Sequence, residues 1–489
     1  MKQSGPKSNR PAALSGPERA LLVLFLLSLP LVNPWVRGDG VGYYAFARSL
    51  LIQHNLDFTP DYQHANLSFR EPRLDETGRP RKDYVTSTGH LDNHFSVGPA
   101  LLWSPFLLVA HAGVLTVRAL GSTVSADGFS APYRLAMALS TVLYGFLGLW
   151  IAFRIARKYT DERWAWLATI AVWGGTSLAL YMYFNPSWSH AHSAFVVAVF
   201  FWYWLHTSER RSVSQWLILG AVAGLMLNVY FANAALLIII GAEALSAYAA
   251  AFRTSPAWFS ACRGLFLRHS LFAITLLICL LPTFLSRQVI YGSPFTSGYI
   301  PVRFWSWKSP AFAQVLFSSD HGIFSWTPLL SLSFIGLLLF WRRMPSVGGP
   351  ALLGVLAFYY LIASYPDWDG ISSFGNRFFV SLTVFFVLGL AVLLQQIAAY
   401  FRRLSTARAV SSAALLLFLL WNFGLMFQWG SHLIPARGPV DWSEVTRNQV
   451  HAVPRRLSSE LSQYLFHRRD LMKQIEETDT QQHRKQSLP

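Results

Sequence analysis

An aspartate set among glycines is the first residue of this chain placed to do chemistry. The stretch Arg37-Gly38-Asp39-Gly40-Val41-Gly42-Tyr43-Tyr44 follows an apolar run at 20–36. Glycines let the chain turn sharply as it leaves that run. Tyr43, Phe46, Ala47, Leu50 and Leu51 then recur at helical spacing, which predicts a helix whose apolar stripe lies on a bilayer surface. Asp39 is thereby held at headgroup level, where a carboxylate can accept a proton from a hydroxyl while a lipid phosphate departs nearby. The same aspartate equally suits a helix cap. His94, His190, His192, Asp320, His321, Asp367, Trp368, Asp369 and Arg377 also fall in or beside segments that the topology below puts on the same side. Two carboxylates flanking Trp368 suit sugar hydroxyls and a sugar face, or an exposed turn with an interface tryptophan.

The elements that must position these residues follow from composition. The chain has 489 residues, 53% hydrophobic and 13% charged, against about 25% charged in soluble proteins. Its apolar residues come in runs of about twenty, each long enough to cross a hydrocarbon core as a helix. The fold class is therefore an all-α polytopic membrane protein. The net charge of +16 does not point to nucleic acid, because Lys and Arg punctuate the loops between apolar runs, as the positive-inside rule requires. Cys262, in a basic loop, and Cys279, in an apolar run, form neither a disulfide framework nor a zinc site. The run at 20–36 follows Lys2, Lys7, Arg10 and Arg19 and lacks a small-residue cleavage site, so it reads as an uncleaved first span with residues 1–19 in the cytoplasm.

Spans are expected at 20–36, 133–153, 164–184, 191–206, 214–231, 233–250, 270–290, 326–341, 349–364, 377–398 and 409–428, about eleven in all, or twelve if 97–119 also crosses. Charge decides that question. With 97–119 kept out of the count, Arg154, Arg157, Lys158, Arg163, Arg210, Arg211, Arg253, Arg263, Arg268, Arg342, Arg343, Arg402, Arg403 and Arg408 fall on the cytoplasmic side, and the external loops 185–190 and 365–376 carry no Lys or Arg. If 97–119 crossed, every later loop would violate the rule. It is therefore placed in the outer interface, broken by Pro99 and Pro105. The transmembrane domain then covers 20–428, with external loops at 37–132 and 291–325 and a polar tail, 429–489, on the periplasmic side. The tail carries one amphipathic helix after Pro454, with Leu457, Leu461, Tyr464 and Leu465 on one face.

With these elements in place, the acidic motif just after the first span, the interfacial helix and the long external loop resemble the GT-C glycosyltransferases, among them the protein O-mannosyltransferases and the lipid A aminoarabinose transferases. The segments His94-Phe95-Ser96-Val97-Gly98-Pro99, Asn185-Pro186-Ser187-Trp188-Ser189-His190, Tyr291-Gly292-Ser293-Pro294-Phe295, Leu316-Phe317-Ser318-Ser319-Asp320-His321-Gly322 and Trp368-Asp369-Gly370-Ile371-Ser372-Ser373-Phe374-Gly375-Asn376-Arg377 add to the likeness by their order and shared side. The resemblance implies inverting transfer of a sugar from a polyprenyl-phosphate donor to a glycan, lipid or protein acceptor, at the outer face of a bacterial inner membrane. It makes Asp39 the catalytic base. Arg377 is then a phosphate partner, since a guanidinium can grip phosphate with two hydrogen bonds, or a residue snorkelling at the top of its span. His190 and His94 are further candidates for the donor phosphate, and Trp368, Asp369, Asp320 and His321 for the substrate. Family members also use a divalent metal held by an acid in the loop after the third span. Asn185 stands there instead, which leaves imidazole ligation by His190 with His94 or His321 as the remaining route.

Three other functions compete. A flippase for lipid-linked oligosaccharides would show paired repeats and charges along a path. An O-antigen ligase or polymerase would show a pattern of external arginines. A non-catalytic subunit would fit the missing second acid. Asn228 and Asn233 read as helix–helix hydrogen-bonding residues, and Glu243 as an intramembrane acid. The sequon Asn66-Leu67-Ser68 carries no weight.

Overall fold

The computed structural model describes residues 14–65, 69, 71–208, 211–254 and 256–486, with side chains as far as 481. Lys2, Lys7, Arg10, Arg210 and the sequon at 66–68 lie outside the described residues. The described residues form nineteen α-helices and no β-strand; the nearest approach to sheet is a pair of isolated bridges, Leu74 to Pro80 and Val85 to Leu91.

The first apolar run is α-helical over α1 (Gly16–Ser28), tightens into a single 3-10 turn at Leu29–Leu31, and then extends toward Asp39. The external loop folds into α2 (Asp39–Arg48), α3 (Thr59–Ala65) and α4 (Gly98–Ala119). The bundle follows: α5 (Ala131–Ala156), α6 (Glu162–Gly174), α7 (His190–Thr207), α8 (Val213–Val229), α9 (Ile238–Thr254), α10 (Trp258–Cys279) and α11 (Leu281–Tyr291). Two short helices, α12 (Phe312–Phe317) and α13 (Ile323–Trp326), lie in the second loop, ahead of α14 (Leu329–Arg343), α15 (Pro345–Ser364), α16 (Thr383–Ala398) and α17 (Leu404–Gly430). The tail forms α18 (Trp442–Phe466) and α19 (Arg468–Gln486).

Among the described residues, seven helical segments are long and apolar enough to cross a membrane: Gly98–Ala119, Ala131–Ala156, Phe231–Thr254, Trp258–Cys279, Pro345–Ser364, Arg377–Ala398 and Leu404–Gly430; Val213–Val229 is a shorter apolar helix. In the segment 377–398, 94% of the most apolar 18-residue stretch is buried, and the segment forms the centre of the bundle, with α14, α6 and α5 around it. Two glycines allow that packing. A Cβ on Gly336 would lie 1.8 Å from the carbonyl oxygen of Gly389, and one on Gly389 would lie 2.1 Å from that of Ser333. Small residues that let backbones meet are the usual basis of helix packing where no hydrophobic effect operates between helices. Polar residues tie other helices together. Asn228 Nδ2 donates to the carbonyls of Gly224 and Cys279, Thr283 Oγ1 donates to Asn228 Oδ1, and Asn233 Nδ2 donates to Ser193 Oγ. Glu243 is paired with Arg211 and accepts from Trp204 Nε1, so this acid is a structural partner.

Two sides can be distinguished. Glu18, near the start of α1, pairs with Arg157 at 3.0 Å and lies 3.6 Å from Arg154, at the end of α5. The opposite end of α5 meets α2. Four expectations need correction here. The segment 97–119 is not broken: α4 is one continuous helix. Pro105 cannot donate to Leu101 O, but Ser104 Oγ does so at 2.8 Å, and Tyr144 Oη donates to Leu102 O at 3.1 Å, which satisfies the carbonyls a proline strands. Phe95, just before α4, packs on Gly42 of α2, and Gly128, in the stretch that follows α4, accepts through its carbonyl from Tyr44 Oη. Second, α2 does not lie on the bilayer through its apolar stripe. Residues 40–49 are all buried, because α3, α4 and the loop cover them, and Arg48 is neutralised inside by Asp61 at 2.6 Å. Third, Cys262 lies within α10, whose helix starts earlier than the apolar run. Fourth, the tail helix begins at Trp442, capped by Asp441, and continues through Pro454. Leu457, Leu461 and Leu465 are exposed on it, whereas Tyr464 is buried.

The tail packs on the strand-like residues that lead to Asp39. Tyr464 Oη donates to Leu31 O at 2.7 Å, Arg468 donates to the carbonyls of Pro30 and Val32, and Asn33 Nδ2 lies 3.2 Å from Met472 Sδ.

Candidate active site

Asp39 owes its position to three glycines. Gly38 has φ +52°, in the left-handed region that favours glycine, and so turns the chain abruptly into α2. Gly40 passes so close to the 185–190 turn that a Cβ would lie 1.9 Å from Ser187 Oγ, and a Cβ on Gly42 would lie 1.9 Å from the Phe95 ring. The glycine-rich motif thus wedges the start of α2 between two other motifs, 94–99 and 185–190.

Asp39 does not act as a side-chain cap. Its Oδ2 lies 2.7 Å from Arg377 Nη1. The guanidinium carbon lies over Trp188, 4.4 Å from the ring centroid, and Trp188 Nε1 donates to Arg37 O at 3.1 Å. Arg377 opens the 3-10 turn Arg377–Leu382 and has only 11% of its side chain exposed. The loop before it is held by Asn376 Nδ2 donating to Trp368 O at 2.9 Å, and by Phe374 N–H donating to Tyr181 Oη. Nε finds no hydrogen-bond acceptor among the described residues, while Nη1 has the Asp39 carboxylate as its ion-pair partner. Buried donors left without acceptors cost free energy, so this guanidinium is built to meet an anion.

Both residues open onto a cavity of about 260 Å³, whose lining includes Tyr43, His94, His190, Tyr230, Tyr299, Trp305, Tyr365, Asp367 and Ile371. Burial, with Asp39 nearby, pushes the Tyr43 phenol up to about 12. Burial likewise raises Tyr299 and Tyr365 well above the ordinary tyrosine value. These phenols stay neutral at ordinary pH and present O–H donors. His94 lies 3.5 Å from Asp92 through Nδ1. Burial opposes ionisation of Asp92, yet hydrogen bonds from His94 and Tyr291 hold its carboxyl below the usual range. His190 is buried with its Nδ1 unpartnered among the described residues. His192 is also buried but faces the rings of Trp103 and Tyr144, away from the cavity lining. Ile371 lines the cavity at φ +59°, a conformation that a β-branched residue adopts only under strain.

The structure thus brings Asp39, Arg377, His94 and His190 to one cavity. It leaves Trp368, Asp369, Asp320 and His321 off the lining; Asp320 and His321 cluster with Asp369 of the loop 367–377. Asp367, on the lining, has its carboxyl raised by burial and by Asp369, and Asp320 is raised by the same two causes. His321 Nδ1 donates to Asp369 O at 3.0 Å. Burial, with Arg377 adding to it, lowers this imidazole to about 4 against the pull of that hydrogen bond. The tyrosines and Trp305 were missed because aromatic residues make up 15% of this chain, and nothing in their spacing separates a cavity wall from a membrane-facing surface.

The resemblance raises a divalent metal only as a candidate, through His190 with His94 or His321; of these, His94 and His190 line the cavity and His321 does not. Asp320, His321 and Asp369 offer donor atoms within 4.8 Å of one another, the hard and borderline donors a divalent cation takes. Of the two ring nitrogens of His321, Nε2 has no partner among the described residues. The Nδ1 that faces Asp320 at 3.5 Å is the one engaged by the Asp369 carbonyl, and ligation through it would require that bond to break.

No family model and no curated protein matches this sequence. Among solved structures, the chain is similar to ArnT from Cupriavidus metallidurans in the apo state, with 13% identity over 84% of this chain and 72% of that one, and a TM-score of 0.46. At that level the likeness assigns neither activity nor substrate.

Proposed function

We propose that this protein is a membrane glycosyltransferase that moves a sugar from a polyprenyl-phosphate donor to an acceptor hydroxyl at the membrane surface. The observation that carries the reading is the pairing of Asp39 with a buried Arg377 whose Nε lacks an acceptor among the described residues, at the wall of an aromatic cavity. Arg377 takes one carboxylate oxygen of Asp39 and leaves Oδ1 for a proton. Asp39 would remove the acceptor's proton as the acceptor oxygen attacks the anomeric carbon. The bond from that carbon to the phosphate oxygen breaks, and its electron pair leaves with the lipid phosphate. Arg377 and the neutral phenols supply donors where that charge develops. Attack opposite the leaving group inverts the anomeric centre.

The cavity volume of about 260 Å³ falls below the roughly 300–1,000 Å³ of sites for drug-sized ligands, which favours a single sugar ring over an oligosaccharide. The aromatic wall supplies apolar faces for the ring, and His94 and Asp367 supply polar edges. No step is routed through a metal. A flippase is disfavoured because Glu243, the acid inside the bundle, is already paired with Arg211. The test is mass spectrometry of envelope glycans and lipid-linked sugars in a wild-type and a deletion strain. Loss of one sugar from an acceptor, with its lipid-linked precursor accumulating, supports the proposal; unchanged profiles overturn it.

A further inference from the structure

Helix α19 is mostly polar, with only Leu471, Met472 and Ile475 apolar and each partly buried, so its docking rests largely on specific polar contacts. Those contacts converge on the residues just before Asp39. Beyond the contacts of Tyr464, Arg468 and Met472 described above, Glu476 Oε1 accepts from Trp35 Nε1 at 2.9 Å, and Asp479 pairs with Arg37. Tyr464 lies near the end of α18, and positions 468, 472, 476 and 479 recur on one face of α19. Their contacts advance along 30–37 in nearly the same order as along the tail. Asp479 is fixed from its other side by His432 Nε2 at 2.8 Å. Burial disfavours its charge, but the hydrogen bond from His432 and the Arg37 guanidinium hold the carboxyl below its usual range.

Arg37 is two residues from Asp39, and its carbonyl anchors the indole on which Arg377 rests. We propose that α19 is a positioning element for the site, with Asp479 acting through Arg37 to set Asp39 against Arg377. Asp479 touches no cavity residue and is a positioning residue only. The inference rests on the reading of Asp39 as the base, but its structural half does not.

The test uses the full-length protein in detergent micelles. Hydrogen exchange is followed by mass spectrometry on peptides covering 33–41 for wild type, Asp479→Asn, Asp479→Glu and the reciprocal Arg37→Asp/Asp479→Arg pair. Each variant is also placed in the deletion strain and envelope sugar transfer is measured. Exchange in 33–41 is expected to rise about tenfold in Asp479→Asn, with exchange in the buried 377–398 segment unchanged. Transfer is expected to fall about tenfold to a hundredfold, as for a misplaced catalytic group. Asp479→Glu and the reciprocal pair are expected to restore both in large part. Unchanged exchange in 33–41 overturns the proposal, whatever happens to transfer. Faster exchange with full transfer overturns the catalytic half. If exchange responds but wild-type and deletion strains have identical glycans, the glycosyltransferase reading fails and the structural half stands.

Discussion

Arg377 Nη1 lies 2.7 Å from Asp39 Oδ2, joining the end of the first apolar run to the start of the most deeply buried helix. The pair defines two roles at once. The carboxylate is oriented by the guanidinium through Nη1, and the guanidinium keeps Nε without an acceptor among the described residues. Arg377→Ala is expected to lower transfer by about a hundredfold or more. Arg377→Lys is expected to recover little, because an ammonium neither stacks on Trp188 nor offers a fork of donors. Rates measured in membranes from the complemented deletion strain check this, and near-normal rates for Lys would contradict it.

Gly40 is expected to tolerate no side chain. Gly40→Ala places a Cβ 1.9 Å from Ser187 Oγ and 2.5 Å from Ser187 Cβ. That overlap should cost about 1–3 kcal/mol and push Asp39 out of line. Ser187→Gly in the same chain removes both contacting atoms and should recover much of the loss. Thermal melting and transfer rates of the single and double variants test it; no recovery in the double variant would place the strain elsewhere.

The Arg48–Asp61 pair, with side chains 0% and 2% exposed, locks the external loop onto α2. Removing one partner strands a buried charge, at a cost of about 3–5 kcal/mol. Arg48→Met is therefore expected to expose the loop to limited proteolysis within 54–97. The paired replacement Arg48→Met/Asp61→Leu should be milder. Equal protease resistance of wild type and Arg48→Met would refute the role.

His321 gives the fold an acid sensitivity. Unfolded, an imidazole titrates near 6.5; folded, burial first and Arg377 second lower this one to about 4. Between those values the unfolded chain holds more protons, so its stability relative to the folded chain grows as pH falls. The contribution of His321 to stability is whole above the unfolded value and is lost as pH falls from there toward the folded one. His321→Gln retains a donor for the Asp369 carbonyl and cannot titrate. Its melting temperature should change less than that of wild type between about pH 7 and about pH 4.5. Asp320 and Asp367, raised by burial, act in the opposite sense in both proteins, so the difference isolates His321.

The helical membrane architecture was legible because runs of apolar residues have one way to satisfy their backbones. Asp39 and Arg377 were legible as chemistry-bearing residues in glycine-rich motifs, but their pairing was not, because no local pattern records a contact between residues so far apart in the chain. The stripe through Tyr43, Phe46 and Ala47 was read as facing lipid and is instead covered by protein. Periodicity reports an apolar neighbour without telling lipid from side chain. The docking of the tail was hidden for a related reason. Tyr464, Glu476 and Asp479 meet carbonyls, an indole and an arginine of 31–37, and polar contacts of that kind leave no hydrophobic pattern. Pro105 misled because its cost is met by Ser104 and Tyr144.

The central claim is that Asp39 is the base. The most direct measurement is mass spectrometry of envelope glycans and lipid-linked sugars in the deletion strain complemented with Asp39→Asn, after membrane insertion and melting have been matched to wild type. Asn keeps the shape and can still lie beside Arg377, but it cannot take a proton. The account predicts that the sugar missing from the deletion strain stays missing with Asp39→Asn and returns with the wild-type chain. Return of the sugar with Asp39→Asn would contradict the account and leave Asp39 a structural partner of Arg377.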